Sequence, residues 1–121
     1  MQTQKTYTSP DGTLTFLVVT DDDGDVSLGF ERGTWHTHAD ILAELQGTSE
    51  ENAVARYIDD LLNDKSVICI YREPDRLLDI TIADLNYEDL EDDLLRKPDN
   101  ETIEFRYWSG APYTPKSVQS R

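Results

Sequence analysis

The chain contains two histidines, His36 and His38, which stand two positions apart with Asp40 close behind them. Alternate residues of a strand lie on one face, so the two imidazoles could bind Zn²⁺, Ni²⁺ or Fe²⁺ with a carboxylate as the third ligand. Such a site would indicate a metal-binding enzyme or sensor. However, no further histidine is present to complete it, and imidazoles at the start of a helix can also bond backbone groups. We favour this second interpretation and predict no bound metal.

An acidic run from Asp21 to Asp25 contains one glycine, Gly24, and invites comparison with a calcium-binding loop. An EF-hand loop has acidic residues at alternating positions before its glycine and a bidentate glutamate at position twelve. When the run is aligned on Gly24, Val19 falls at position one and Phe30 at position twelve. Neither side chain can bind calcium, so the run is predicted to be a charged hairpin turn.

The one cysteine, Cys69, lies in the apolar run Val67–Tyr71. That position predicts a buried strand residue rather than a reactive thiol. The sequence contains no Gly-x-Ser-x-Gly motif and no glycine-rich loop that could hold a phosphate. Because carboxylates are abundant throughout, no single pair indicates an acid–base dyad. We expect a protein that is not an enzyme and that needs no cofactor.

Acidic residues outnumber basic ones by 25 to 11, which gives a formal net charge of −14. Nucleic acid and anionic membranes are unfavourable ligands, because both are bound through Lys and Arg. A basic protein partner is compatible with this charge and would be steered towards the chain. The alternative is a structural or oligomeric domain whose acidity serves only solubility.

The sequence shows no secretory signal and no apolar run of the roughly 20 residues that span a bilayer, which predicts a cytoplasmic protein.

The densest acidic segment runs from Asp84 to Asp93 and contains no basic residue. Like charges at this density repel each other, so the segment is a candidate surface for a basic partner. Tyr87 would supply an aromatic anchor that charge alone cannot. We predict that six residues contact the partner: Asp84, Tyr87, Glu88, Asp89, Asp92 and Asp93. A second acidic patch is expected on the exposed side of the central helix, and its members are Glu50, Asp59, Asp60 and Asp64.

Alternating apolar residues predict strands in the first part of the chain, on either side of the acidic run Asp21–Asp25. Thr13–Thr20 and Val26–Glu31 both alternate, and the acidic turn between them predicts a hairpin. Ser9–Gly12 has the composition of a further turn, with proline, aspartate and glycine at adjacent positions. The histidines follow directly after this β region.

Helical patterns occupy the middle of the chain. A short helix capped by Thr37 or Asp40 is predicted to end at Gly47. Thr48 or Ser49 begins a second helix, whose apolar residues fall at i, i+1, i+4, i+5, i+8 and i+9: Ala53, Val54, Tyr57, Ile58, Leu61 and Leu62. This spacing forms one stripe, which is typical of a helix that packs on a sheet.

Strands return at three segments: Ser66–Glu73, Leu77–Asp84 and Thr102–Trp108. The acidic segment Asn86–Leu95 between the last two could be helix or loop. Hairpins at both ends of the chain predict a mainly antiparallel sheet. The expected fold class is α+β, with two or three helices packed on one face of that sheet as a two-layer sandwich. Residues 1–110 are predicted to form this single domain and residues 111–121 a flexible C-terminal tail.

Three segments carry a family resemblance: Trp35–Asp40, Ala55–Asp64 and Ile103–Trp108. Together they resemble small acidic bacterial immunity proteins, which are encoded beside polymorphic or contact-dependent toxins. The resemblance extends over residues 14–108. It implies a protein that neutralises a cognate toxin domain by binding it, without chemistry of its own and without a cofactor.

Overall fold

The computed structural model describes residues 2–84 and 89–115, and residues 2–4 of these by their backbone only. Sheet A has four strands in chain order: β1 (Gln2–Thr8), β2 (Thr15–Thr20), β3 (Val26–Phe30) and β4 (His36–His38). Two helices follow it, α1 (Ala39–Gln46) and α2 (Glu50–Leu62). Sheet B has the order β6-β5-β7, with α3 between its last two strands: β5 (Ile68–Glu73), β6 (Arg76–Ile82), α3 (Leu90–Arg96) and β7 (Thr102–Arg106).

The predicted α+β class is confirmed, and the strand pairs of both sheets are antiparallel. The strands divide between two sheets, because β5 pairs with β6 and β7 rather than with a strand of sheet A. The two-layer arrangement stays a prediction. Within the described part of the chain, no helix is long and apolar enough to cross a membrane.

The β2–β3 hairpin of sheet A closes through the acidic turn that the sequence predicts. The amide of Gly24 donates to the carbonyl of Asp21 at 3.0 Å, and Gly24 has a φ of 87°, which a residue without Cβ adopts readily. The acidic run is therefore the β2–β3 turn. Its register places Phe16 opposite Phe30, and the two rings pack edge to face with their centroids 5.0 Å apart.

Both helices predicted for the middle of the chain form, as α1 and α2, and their ends show which residues cap them. The Ser49 hydroxyl accepts a hydrogen bond from the amide of Asn52, so Ser49 caps α2 as predicted. The prediction for α1 was wrong, because His38 occupies its N-cap position and gives no side-chain cap. α1 ends at Gly47, whose φ of 65° terminates the helix in the left-handed conformation.

Strand β5 connects two apolar clusters because its successive side chains point to opposite faces. Ile68 and Ile70 enter the larger cluster, with Phe16 and Leu61 among its members. Cys69 enters a smaller cluster that α3 covers. The prediction that Cys69 is a buried strand residue is confirmed.

Arg106 joins the two sheets from a buried position, with 5% of its surface exposed. Its guanidinium donates to four oxygens at 2.8–3.0 Å, on Asp11, Thr13, Tyr107 and Trp108. Asp11 belongs to the β1–β2 turn of sheet A, whereas Arg106 ends β7 of sheet B. The guanidinium, followed by the hydroxyls of Ser9 and Thr13, holds the pKa of the Asp11 carboxyl well below its usual range.

The chain continues from β7 into residues that fold back on it. The amide of Tyr107 donates to the carbonyl of Ala111 at 2.8 Å, and the amide of Tyr113 donates to the carbonyl of Phe105 at 3.0 Å. The rings of Tyr107 and Tyr113 pack edge to face at 5.9 Å. Of the predicted C-terminal tail, residues 111–113 thus pair with β7 and its continuation, and residues 116–121 lie outside the described residues.

Candidate partner-binding site

Helix α2 is flanked by two grooves. The first, the α2–sheet A groove, has a volume of about 590 Å³. Its floor is apolar and comes from the strands and from one side of the helix: Val18, Val26, Val54, Ile58 and Leu62. Three carboxylates of α2 line its rim: Glu50, Glu51 and Asp59. One basic residue, Lys5, faces them.

The second, the α2–sheet B groove, is larger, at about 910 Å³. Aromatic and aliphatic side chains from the β3–β4 loop, from α1 and α2 and from sheet B line it: Trp35, Leu42, Leu45, Tyr57, Tyr71 and Leu78. Four carboxylates also line it, on Asp60, Asp79, Asp84 and Glu101, against one basic residue, Lys65. The groove thus combines aromatic anchors with negative charge, which is the composition of a surface that binds basic side chains.

One of these carboxylates, that of Asp79, is engaged by the fold. A single oxygen of Asp79 accepts hydrogen bonds from three backbone amides, those of Thr34 at 2.9 Å, Trp35 at 3.2 Å and Ile80 at 2.9 Å. These bonds attach the β3–β4 loop of sheet A to β6 of sheet B, and they place the Trp35 ring in the groove. Asp79 therefore builds the groove, whereas the exposed Asp60 and Asp84 give it surface charge.

Tyr57 lies half-buried in the wall of the groove. Burial, and then the negative charge of Asp84, raises the pKa of the Tyr57 hydroxyl far above its usual value. The hydroxyl consequently remains protonated at any physiological pH, and Tyr57 presents a neutral polar group beside an aspartate.

The described residues of the first predicted patch, between Asp84 and Asp93, have different structural roles. Asp84 lies in the α2–sheet B groove, and Tyr87 and Glu88 lie outside the described residues. Asp89 caps α3 by accepting a hydrogen bond from the amide of Asp92 at 3.1 Å. The carboxylate of Asp92 in turn pairs with Arg96, one turn further on, at 2.9 Å. Asp93, in the first turn of α3, is half-buried.

The second predicted patch is divided by its helix. Glu50 and Asp59 line the α2–sheet A groove, and Asp60 lines the α2–sheet B groove. Asp64 lies beyond the end of α2 with a φ of 60°, and its carboxylate accepts a hydrogen bond from the amide of Ser109 at 3.0 Å. The structure therefore brings one residue of each predicted patch, Asp60 and Asp84, to the same groove.

Sequence reasoning missed the apolar part of this site. Leu45 of α1 is 73% exposed at the groove, and Ile41 one turn before it is 47% exposed. A signal was present, because adjacent apolar residues such as Ile41 and Leu42 lie about 100° apart on a helix and cannot both point to the centre of one core.

The two histidines share one face of β4, with ring centroids 4.9 Å apart. Nδ1 of His36 lies 3.1 Å from the carbonyl oxygen of Thr34, and Nδ1 of His38 lies 3.3 Å from the Ser27 hydroxyl and 3.5 Å from the Asp25 carboxylate. Throughout residues 2–84 and 89–115, no group of three His, Cys, Asp or Glu residues is placed to hold a metal ion.

Comparison of the chain with protein-family models, with curated proteins and with solved structures found no match. The resemblance to immunity proteins therefore stays a prediction, and the grooves beside α2 are the structural features from which a function can be argued.

Proposed function

We propose that this chain is a non-enzymatic binding protein that occludes a basic protein partner, and that the partner is a toxin domain, as the resemblance to bacterial immunity proteins implies. We place its action in the cytoplasm. The observation that carries the proposal is the α2–sheet B groove, in which the exposed carboxylates of Asp60 and Asp84 border an aromatic and aliphatic lining.

Both components of the groove have a part in recognition. Arginine or lysine side chains of a partner would pair with the two aspartates, while their aliphatic stems pack on Leu45 and the rings of Trp35 and Tyr57. Apolar and aromatic anchors supply most of the free energy of such interfaces, and rim charges mainly increase the association rate and the specificity. A formal charge of −14 extends this attraction beyond the groove itself.

The position of Asp60 distinguishes a binding surface from acidity that serves solubility alone. Asp60 lies in the last turn of α2, which contains no basic residue. The carbonyl end of a helix carries partial negative charge, so an aspartate there lowers the stability of the helix. An exposed residue that opposes its own helix and borders an aromatic groove supports a role in binding.

The neighbouring gene identifies the probe for a direct test, because immunity proteins are encoded beside their toxins. The gene next to that for this chain should encode a domain with an excess of Lys and Arg. Co-expression of the chain should protect bacterial growth from that domain. In stopped-flow mixing, the association rate constant should fall at least about tenfold as the ionic strength rises from about 0.01 M to 1 M, since the Debye length shrinks from roughly 30 Å to 3 Å.

Two variants with the same change in net charge locate the surface. Asp60→Asn combined with Asp84→Asn should slow association more than Asp22→Asn combined with Asp23→Asn, because the latter pair lies in the β2–β3 turn and lines neither groove. Equal slowing by both pairs would mean that only net charge matters. An unrelated neighbouring gene, or the absence of protection, would remove the toxin-binding proposal.

A further inference from the structure

A separate pocket, of about 310 Å³, lies where the two sheets meet and has the opposite character. Three of the chain's 11 basic residues line it: Arg32, Arg72 and Arg106. Two carboxylates, on Asp11 and Glu104, accompany them, and the remainder of the lining is Thr13 and four aliphatic residues. For a protein with a formal charge of −14, this is a notable concentration of positive charge.

The two carboxylates are each paired with one of the arginines. Asp11 accepts from Arg106 at 2.8 Å, and Glu104 accepts from Nη1 of Arg72 at 2.7 Å. Arg106 is immobilised by its four hydrogen bonds, whereas Arg72 has its other guanidinium nitrogens outside this ion pair. Arg32, at the surface, forms no hydrogen bond or ion pair with another described residue. The formal charge of the pocket is therefore +1, and it resides on Arg32.

Local backbone irregularities accompany two of these arginines. Arg32 has a φ of 80°, a left-handed conformation that glycine adopts readily and that is unfavourable for a residue with a Cβ. Arg72 follows a register shift in the pairing of β5 with β6, of the kind by which a β-bulge redirects a side chain. Strained and irregular backbone of this sort is concentrated at binding sites, where the side chain is retained despite its conformation.

We propose that this pocket binds a small oxyanion, a carboxylate or a phosphate, between Arg32 and Arg72. Planar guanidinium groups present paired N–H donors that match the oxygens of both anions. Arg106, whose charge is paired with that of Asp11, forms part of the wall of the pocket. This site is independent of the proposed function, because the α2 grooves attract cations and share none of the pocket's lining residues.

The test is titration of the full chain at low ionic strength with inorganic phosphate and, separately, with acetate, followed by isothermal calorimetry and by amide NMR shifts. A titration with sodium chloride at matched ionic strength corrects for screening. We expect saturable binding of at least one anion, with shifts centred on Arg32 and Arg72. Tighter binding of phosphate would identify a phosphate-bearing ligand, and tighter binding of acetate a carboxylate.

The variant Arg32→Gly separates binding from folding. Glycine suits the φ of 80°, so the melting temperature should stay the same or rise, while anion affinity should fall about tenfold or more through loss of a charge-assisted hydrogen bond. Arg32→Asn, which also tolerates this conformation, should behave in the same way. Arg76→Gln, outside the pocket, should bind like the wild type. Unchanged affinity in both Arg32 variants, or no saturable binding of either anion, would overturn the proposal.

Discussion

Helices α2 and α3 are both rich in acids, but only α2 also carries acids at its C-terminal end. The acids of α3 lie at its N-terminus: Asp89 caps the helix, Asp92 lies in the first turn and Arg96 in the last. Each of these positions is favoured by the helix dipole or by the exposed amides of the first turn. α2 also begins with acids, yet it carries Asp59 and Asp60 in a last turn that has no basic residue.

The difference shows that the number of acids in a segment is a poor guide to a binding surface. In α3 the acids stabilise the helix that contains them, so its charge density has a local explanation. In α2 the acid at position 60 opposes its helix and faces a groove. Asp79 and Asp11 likewise have a local explanation, because their carboxylates join the two sheets.

The largest expected effect is a loss of stability when a carboxylate that joins the two sheets is removed. Asp79→Ala would leave the amides of Thr34 and Trp35 without their acceptor and release the β3–β4 loop from β6. We expect the free energy of unfolding to fall by about 2–3 kcal/mol, since the partly buried amide of Trp35 and the exposed amide of Thr34 each lose a charge-assisted bond. Urea unfolding at pH 7 measures it. Asp75→Ala, in the exposed β5–β6 turn, is the matched control and should change stability by less than about 0.5 kcal/mol.

A second effect, smaller because Asp11 is exposed, is a dependence of stability on pH. The pKa of Asp11 is lowered in the folded protein, so its contribution is fully present above the ordinary aspartate value near 4 and is lost as the pH falls from there towards the lowered value. The difference in unfolding free energy between the wild type and Asp11→Asn should therefore be constant above about pH 5 and shrink between about pH 4 and 2. A constant difference down to pH 2 would contradict the assigned role of the Arg106 pair.

The hairpins of sheet A, the helix α2 and the α+β class could all be predicted from the sequence, because each depends on contacts between residues close in the chain. The division into two sheets could not, since β5 pairs with β7 between residues as far apart in the chain as Ile68 and Arg106. The polar links between the sheets are more distant still: Arg106 and Asp11 are 95 positions apart, and Asp79 and Thr34 are 45 apart. Nothing local distinguishes these two aspartates from the other acids.

The candidate site was predictable in its charge and not in its shape. Composition and helical spacing identified Asp60 and Asp84 as acidic surface residues, but in separate patches. Their common groove depends on where sheet B packs beside α1 and α2, and its Trp35 ring comes from a loop that Asp79 holds. The aromatic and apolar residues that line this groove come from distant segments. The hydrophobic periodicity of a single helix or strand therefore does not reveal that they meet.

The smallest expected effect is the change in unfolding free energy when one carboxylate charge is removed from each helix. It tests the comparison of α2 and α3 most directly, because its sign should differ between them. Asp60→Asn removes a negative charge from the carbonyl end of α2 and should raise the free energy of unfolding by up to about 0.5 kcal/mol. Asp92→Asn removes one from the amide end of α3, together with the Arg96 pair, and should lower it by about 0.5–1 kcal/mol. Urea unfolding at low salt gives both values, and about 1 M salt should reduce both. If Asp60→Asn instead destabilised the protein, Asp60 would have a structural role, and its place at the groove would no longer indicate binding.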